Sequence, residues 1–402
     1  MMKKTLLAAG FAAASLLGAA QLQADVKIGF LGGFTGPIEG MTPAIHEGAQ
    51  LAQRQVNAQG GLLNGRQFVM PTGDTTCADS SAASNAADRM VNSERVTAIV
   101  GALCTGATIA SANNAAVPGG VVMISPASTA PAVTELNDNG LVFRTVPSDA
   151  FQGEALAHLL ISKGINEVVS TYVNNDYGRG LAMQFVETYE SLGGYVGSNL
   201  AHEDNRADYR SELGSLSGEM IETLVVFAYA DSSGQTILRQ AHESGNFQQY
   251  VGVDGMISDT LIEALGADVL EGMIATRPGS PDLPGADIFE AAAKEAGFDP
   301  NAVFAAQAYD AAFILALAVE KNGSDSREGL KDAVRAVAMA PGEVILPGEW
   351  EKAKRLIAEG KAINYEGAAG QHEFDENGDI MGVVVEMAIE GGRLATKGVI
   401  DF

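Results

Sequence analysis

The sequence predicts an α/β protein built from two lobes, and three observations lead to that prediction. Short apolar runs alternate with helical patterns along most of the chain, which is typical of mainly parallel sheets covered by helices on both faces. The length of 402 residues exceeds what one ordinary hydrophobic core contains. The alternation also restarts near Val168, as we expect for a second lobe with its own sheet.

The first half of the chain supplies the elements of the first predicted sheet. Its predicted strands are short apolar runs at 26–31, 68–70, 96–100 and 121–124. Its predicted helices lie at 42–57 and 79–91, with a further helical stretch before the fourth strand. Gly60 and Gly61 follow the first helix, where a helix end favours glycine.

The second half supplies strands that are again separated by helical patterns. These strands are predicted at 168–172, 223–227 and 250–253. Two extended, proline-containing stretches, 143–148 and 275–281, flank this set. We expect each stretch to cross between the lobes.

The N-terminus has the pattern of a secretory signal peptide. Two lysines precede an apolar run over 5–20, and Ala24 is the small residue before the expected cut. A membrane anchor is the alternative, but the run is short for a bilayer and a polar chain follows at once. We expect residues 1–24 to be removed, with cleavage after Ala24 favoured over Ala20, which gives a soluble periplasmic protein.

The charge and the cysteines narrow the class of protein further. The formal net charge of −25 argues against a nucleic-acid partner and against docking on anionic lipid, and it suits a soluble secreted protein. Cys77 and Cys104 predict one disulfide, because an exported chain matures in an oxidising compartment. A metal pair is the alternative, but no histidine or third cysteine lies at ligand spacing. We expect no metal and no cofactor.

Enzyme signatures are not found in the sequence. It contains no G-x-S-x-G elbow and no phosphate-binding G-x-x-x-x-G-K-[ST] loop. The glycines at 29–36 lack the dinucleotide-binding spacing, and no His-Glu pair continues to H-E-x-x-H. The acidic stretch 375–379 fits a tight turn better than a calcium loop. We therefore expect a binding protein and not an enzyme.

Polar loops follow two consecutive strands of the first predicted sheet. The loops at 101–108 and 125–131 are rich in small and hydroxyl residues, and they lie at the carboxyl ends of strands, where open α/β sheets bind ligands. Their hydroxyl and N–H groups suit a carboxylate at a helix N-terminus. Each loop alone is equally consistent with helix capping, but two together favour an anion site.

In the second half, Tyr177, Tyr229 and Asp254 each follow a predicted strand. Tyr177 suits a ring laid over a ligand, although it is equally consistent with helix packing. Asp254 suits an ammonium group, although it is also a suitable helix N-cap. An anion site on one lobe and a carboxylate on the other would bind a zwitterion when the lobes close.

Several of these segments together resemble the leucine/isoleucine/valine-binding protein family, the type I periplasmic receptors of ABC transporters. The resemblance covers nearly the whole mature chain and is carried by 29–37, 57–65, 103–105, 124–129, 176–180, 238–241 and 271–273. It implies a type I periplasmic-binding-protein fold, two Rossmann-like lobes with three hinge crossings. On this basis we expect lobe 1 at 25–146 and 279–370, and lobe 2 at 147–278 and 371–402.

The resemblance also implies roles for individual positions. Thr105, Ala127 and Thr129 match positions that hold a ligand carboxylate and share in holding the amino group, and Ser128 of the same loop joins the candidates. Asp254 matches an acid that binds the ammonium, and Tyr177 matches an aromatic wall, with Tyr229 as a further candidate.

The cysteine pair matches the family's disulfide. Met41 stands where some members have an aromatic residue, and an insert at 348–367 departs from compact members.

The function implied is capture of an amino acid, branched-chain or related, by a monomer that delivers it to an inner-membrane ABC permease. Two alternatives remain open at this point. The same fold could bind a carboxylate or amide without an ammonium group, or it could serve as a sensory receptor.

Overall fold

The computed structural model describes residues 24–402, so nearly all of the predicted signal peptide lies outside the described residues. The strands are β1 Val26–Gly32, β2 Phe68–Val69, β3 Thr72–Asp74, β4 Ala98–Gly101, β5 Val122–Ser125, β6 Val142–Arg144, β7 Glu167–Val173, β8 Tyr195–His202, β9 Thr223–Phe227, β10 Gln249–Gly252, β11 Ile274–Gly279, β12 Glu343–Ile345, β13 Ile363–Tyr365, β14 Val383–Glu390 and β15 Arg393–Val399. The α-helices are α1 Thr42–Ala58, α2 Ser80–Asp88, α3 Thr105–Ser111, α4 Asp149–Ser162, α5 Asp176–Ser191, α6 Arg210–Ser217, α7 Gln235–Ser244, α8 Asp259–Leu265, α9 Ala267–Leu270, α10 Pro284–Ala296, α11 Ala305–Asn322, α12 Leu330–Ala338 and α13 Trp350–Ala358. Within this described part, no helix is both long enough and apolar enough to cross a bilayer.

The first sheet contains β1 to β6 in the order β2-β1-β4-β5-β6, with β3 paired to the distal part of β1. All of its pairs are parallel. Because helices cover both faces, β4 and β5 are fully buried and consist of small and aliphatic residues. The order reverses between β1 and β4, so the loops that follow these two strands meet at one edge of the sheet.

The second sheet has the order β15-β14-β11-β10-β9-β7-β8. It is parallel from β8 to β11, and β14 and β15 extend it as antiparallel strands. Its order reverses between β7 and β9. The loops after β7 and β9, which carry Tyr177 and Tyr229, therefore face the same crevice.

The helix α11 forms the centre of the first lobe, with residues 305–319 all buried. It packs against α1 so closely that a Cβ atom on Gly48 would lie 2.1 Å from the carbonyl oxygen of Ala305. Glycine at this position is what permits the contact. The packing fixes the start of α11, where Phe304 reaches the crevice between the lobes.

The insert at 348–367 is part of the first lobe. It contains α13 and β13, and β13 pairs in parallel with β12. Trp350 is fully buried, and its indole Nε1 donates to the carbonyl oxygen of Gly61 (3.1 Å). The insert thus packs on the C-terminal end of α1 and on the first half of α11, and none of its residues lines the cavity described below.

From the order of the elements in the two sheets we propose that three short segments cross between the lobes, at 145–148, 280–283 and 380–382. The expected crossing at 275–281 is largely a strand instead, because β11 continues to Gly279 and pairs with β14. Residues 371–379, which we expected in lobe 2, pack against the first sheet: the N–H of Arg144 in β6 donates to the carbonyl of Gly378 (2.9 Å). We therefore propose that the last lobe boundary lies near Ile380.

Candidate functional site

A cavity lies between the lobes, where the two crevices face each other. Its walls come from both lobes. The first lobe contributes Ile38, Met41, Ile45, Leu103, Cys104, Thr105, Ala127 and Phe304, and the second contributes Tyr177, Tyr229, Asp254 and Gly255. Five of the seven candidate ligand residues from the sequence thus line one enclosed space.

The loops after β4 and β5 form the polar wall of the first lobe. Thr105 begins α3 and is buried at the cavity, and its hydroxyl oxygen accepts a long hydrogen bond from the N–H of Ala130 (3.4 Å). Ala127 lies opposite, at the tip of the second loop. Hydroxyl and N–H groups at the start of a helix suit an anionic group.

Ser128 and Thr129 lie behind this wall and do not line the cavity. The Ser128 hydroxyl is 2.6 Å from that of Thr108 and donates to the carbonyl of Ala102 (3.2 Å), and its N–H donates to the hydroxyl of Ser125 (3.0 Å). Its polar groups are therefore engaged in bracing the two loops against each other. The Thr129 hydroxyl is buried and has no hydrogen-bond partner among residues 24–402.

Asp254 provides the charged wall of the second lobe. It follows β10 and is buried, and its Oδ1 accepts hydrogen bonds from Nε2 of Gln152 (2.8 Å) and from the hydroxyl of Tyr177 (3.0 Å). Its side chain does not cap a helix. Tyr177 also accepts from the N–H of Gly255 (3.1 Å), and its ring stacks on that of Tyr229 with centroids 5.1 Å apart.

Burial dominates the electrostatics of this wall. It raises the pKa of Asp254 to about 6, although the hydrogen bonds from Gln152 and Tyr177 oppose the rise. Burial, together with the nearby Asp254 carboxylate, raises the pKa of Tyr177 well above its usual value. At neutral pH the wall therefore combines a carboxylate with a hydroxyl that stays protonated and donates to it.

Asp149 is a second buried acid near Asp254, and the sequence analysis did not single it out. Neither of its carboxylate oxygens has a partner in the described part of the chain, and Oε1 of Gln152, one turn further along α4, is also unpartnered there. Burial raises the pKa of Asp149 well above its usual value, and the charge of Asp254 raises it further. In the sequence Asp149 follows Ser148 as an ordinary first-turn acid, so only its burial distinguishes it.

The remaining wall of the cavity is apolar. Ile38, Met41, Ile45, Leu103 and Phe304 contribute no charged group to it. Phe304 has a left-handed backbone (φ 64°) directly before α11, a conformation that costs energy for a non-glycine residue. No sequence signal marked it, because the positive φ is set by the packing of α11 against α1.

The lobes also touch beside the cavity. The N–H of Gly40 in the first lobe donates to Oδ2 of Asp231 in the second (3.0 Å), and Oδ1 of Asp231 accepts from the hydroxyl of Thr260. Asp231 lies in the same loop as Tyr229. This contact requires the lobes to be together, so the structure represents a closed arrangement.

The disulfide joins Cys77 to Cys104, with Cα atoms 5.5 Å apart. Cys104 directly precedes α3 and lines the cavity. The bond therefore ties the loop that carries Thr105 to the segment before α2.

Comparisons with known proteins agree with this architecture. The family model described as "Receptor family ligand binding region" matches residues 44–388. The leucine-, isoleucine-, valine-, threonine- and alanine-binding protein of Pseudomonas aeruginosa is 29% identical over 331 residues, which cover 81% of this chain and 87% of that protein.

Solved structures extend the similarity to the whole fold. A leucine binding protein, LivK, from Thermotoga maritima has a TM-score of 0.79 at 27% identity and covers 94% of this chain and 99% of that one. A solute binding protein of an ABC transporter from R. palustris, solved with benzoate, has a TM-score of 0.76 at 18% identity and covers 94% and 96%. The family match and these likenesses, together with the interlobe cavity, show that this chain belongs to the Leu/Ile/Val-binding protein family of type I periplasmic binding proteins, which are solute-binding proteins and not enzymes.

Proposed function

We propose that this protein captures an aliphatic α-amino acid between its lobes and delivers it to an ABC permease in the inner membrane. The observation that carries the proposal is the position of Asp254. This buried carboxylate and the hydroxyl of Thr105 come from opposite lobes and line the same cavity, whose remaining wall is largely apolar. A zwitterion provides the ammonium group for one wall and the carboxylate for the other.

The cavity also indicates what kind of side chain the ligand carries. The wall beyond the two polar ends is formed by Ile38, Met41, Ile45, Leu103 and Phe304, and burying a charged side chain against it would be costly. Branched aliphatic side chains fit this apolar wall, in agreement with the leucine named for the relative from T. maritima and with three of the five amino acids named for the relative from P. aeruginosa.

A cellular location follows from the same proposal. Cleavage after Ala24 would leave β1, which begins at Val26, intact. We propose export to the periplasm, function there as a monomer, and docking of the closed form on the permease. Mass spectrometry of the exported protein should give an N-terminus at Asp25.

An aromatic acid without an ammonium group is the rival ligand class. The stacked Tyr177 and Tyr229 rings would suit it, and the neighbour from R. palustris was solved with benzoate. The buried acids Asp149 and Asp254 argue against it, because a ligand with only negative charge would bring no cation to them.

The test is isothermal titration of protein that has been unfolded and refolded to remove bound ligand. Leucine, isoleucine and valine should bind, and 4-methylpentanoate, which is leucine without its amino group, should bind far more weakly. Binding of benzoate or 4-methylpentanoate as tight as that of leucine would overturn the amino-acid proposal and leave the transport role intact.

A further inference from the structure

Arg144 lies directly behind the loop at 125–130 and is fully buried. Its Nη1 donates to three successive carbonyl oxygens, those of Ser128 (3.3 Å), Thr129 (2.9 Å) and Ala130 (3.1 Å). In a trans peptide the N–H points away from the preceding carbonyl. With the carbonyls of Ser128 and Thr129 held by Arg144, the N–H groups of the next residues, Thr129 and Ala130, point away from the guanidinium, and the N–H of Ala130 reaches the hydroxyl of Thr105.

The rest of the same guanidinium binds the segment that leads into the third crossing. Nε donates to Oδ1 of Asp379 (2.7 Å), and Nη2 donates to Oδ2 of Asp379 (2.6 Å) and to the hydroxyl of Thr134 (2.8 Å). This is a two-point ion pair, which fixes direction as well as distance. Asp379 directly precedes the crossing at 380–382, so one side chain joins the ligand-facing loop to a hinge.

We propose that Arg144 is a positioning residue for ligand binding. It holds the peptide groups of 128–130, which fixes the N–H of Ala130 on the Thr105 hydroxyl at the cavity, and through Asp379 it couples that arrangement to the hinge at 380–382. The inference rests on the proposed function, because it assigns the loop to ligand recognition. Lysine cannot replace arginine here, since one ammonium cannot reach three carbonyls and a carboxylate in the same planar arrangement.

Arg335 provides a matched control. Its Nη1 donates to the carbonyls of Phe374 (3.0 Å) and Asp375 (2.6 Å), and its guanidinium lies over the ring of Phe143. It therefore holds the same 371–379 segment on the first lobe, but none of its hydrogen bonds reaches the loop at 125–130. If the 371–379 segment had a purely structural role, substitutions of Arg335 and of Arg144 would change the Kd for leucine alike.

The experiment compares Arg144→Lys, Asp379→Asn and Arg335→Gln in the full mature protein. The Kd for leucine is measured by calorimetry and the melting temperature by circular dichroism. Backbone hydrogen exchange of peptides covering 125–131 is measured in the ligand-free proteins. We expect Arg144→Lys to raise Kd by about tenfold or more and Asp379→Asn by about threefold, since each breaks a buried charged pair. Exchange at 125–131 should accelerate in both, whereas Arg335→Gln should lower the melting temperature and leave Kd and this exchange unchanged.

A Kd within twofold of wild type in folded Arg144→Lys would overturn the inference. If Arg144→Lys does not fold, Asp379→Asn decides by the same criterion. If the wild-type protein binds no amino acid, the proposed function fails, and the exchange data still test the positioning: unchanged exchange at 125–131 in Asp379→Asn would refute it.

Discussion

Replacing Asp254 by asparagine should weaken amino-acid binding and stabilise the ligand-free protein at the same time. Asparagine has nearly the same shape and keeps an oxygen that accepts from Gln152 and Tyr177. What it removes is the negative charge that we assign to the ligand's ammonium. The two effects have opposite signs because the charge is costly when the ammonium is absent.

The size of each effect follows from the surroundings of the carboxylate. A hydrogen bond to a charged group contributes about 1.5–3 kcal/mol, so the Kd for leucine should rise by about 10- to 150-fold; Asp254→Ala should cost at least about tenfold for the same reason. In the ligand-free protein, a pKa raised from 3.8 to about 6 corresponds to a penalty of about 3 kcal/mol for the ionised form. Because the pKa of Asp254 is higher in the folded than in the unfolded protein, the free energy of unfolding falls as pH rises from about 4 to 6. The Asp254→Asn protein should not show this fall.

The assay is a cycle of two proteins and two ligands, studied by calorimetry at pH 7.5. Wild type and Asp254→Asn are each titrated with leucine and with 4-methylpentanoate. The substitution should weaken leucine binding and leave 4-methylpentanoate no weaker than before. If Asp254→Asn binds leucine within threefold of wild type, the assignment of Asp254 to the ammonium group is wrong.

The remaining predictions concern pH, closure and the disulfide. Affinity for leucine should fall as pH drops through 6, because protonation of Asp254, whose pKa is raised to about 6, removes the ammonium partner; calorimetry at several pH values checks this, and a flat profile would contradict it. Asp231→Ala removes the acceptor of the Gly40 N–H and should raise the ligand dissociation rate about threefold to tenfold in stopped-flow fluorescence. A change in the association rate alone would contradict this prediction. The double change Cys77→Ser and Cys104→Ser should lower the free energy of unfolding by about 3 kcal/mol in urea titrations; a loss near zero would show that the bond constrains the unfolded chain little.

The strands that the sequence predicted are central parallel strands such as β1, β5 and β9, because these are apolar runs that helices cover on both faces. β9 lies where the sequence predicts it, at Thr223–Phe227, and β5 differs from its prediction only at its ends. The extent of β11 was missed because Arg277 and Pro278 read as a linker. Its pairing with β14, more than a hundred residues away, makes that stretch a strand, and no local pattern reports such a partner.

The candidate residues that line the cavity are ones that follow a strand, since strand ends share one edge of a parallel sheet. Ser128 shows the limit of that reasoning: the sequence placed it in the right loop, but its hydroxyl turns away to bond the carbonyl of Ala102. Asp149 and Phe304 were missed for a related reason. Each owes its position to packing between distant segments, and each looks in the sequence like an ordinary residue at the start of a helix.

The pair of buried acids gives a physical reason for selecting ligands by their ammonium group. Asp149 and Asp254 are both nearly inaccessible to water, and burial raises the pKa of each, with mutual repulsion contributing at Asp149. A ligand that brings a positive charge relieves this penalty on binding, whereas an anionic ligand of equal size leaves it in place or adds to it. Asp149→Asn should therefore narrow the difference in affinity between leucine and 4-methylpentanoate by weakening the first more than the second. Equal weakening of both ligands in calorimetry would mean that Asp149 supports the fold of the hinge and takes no part in the discrimination.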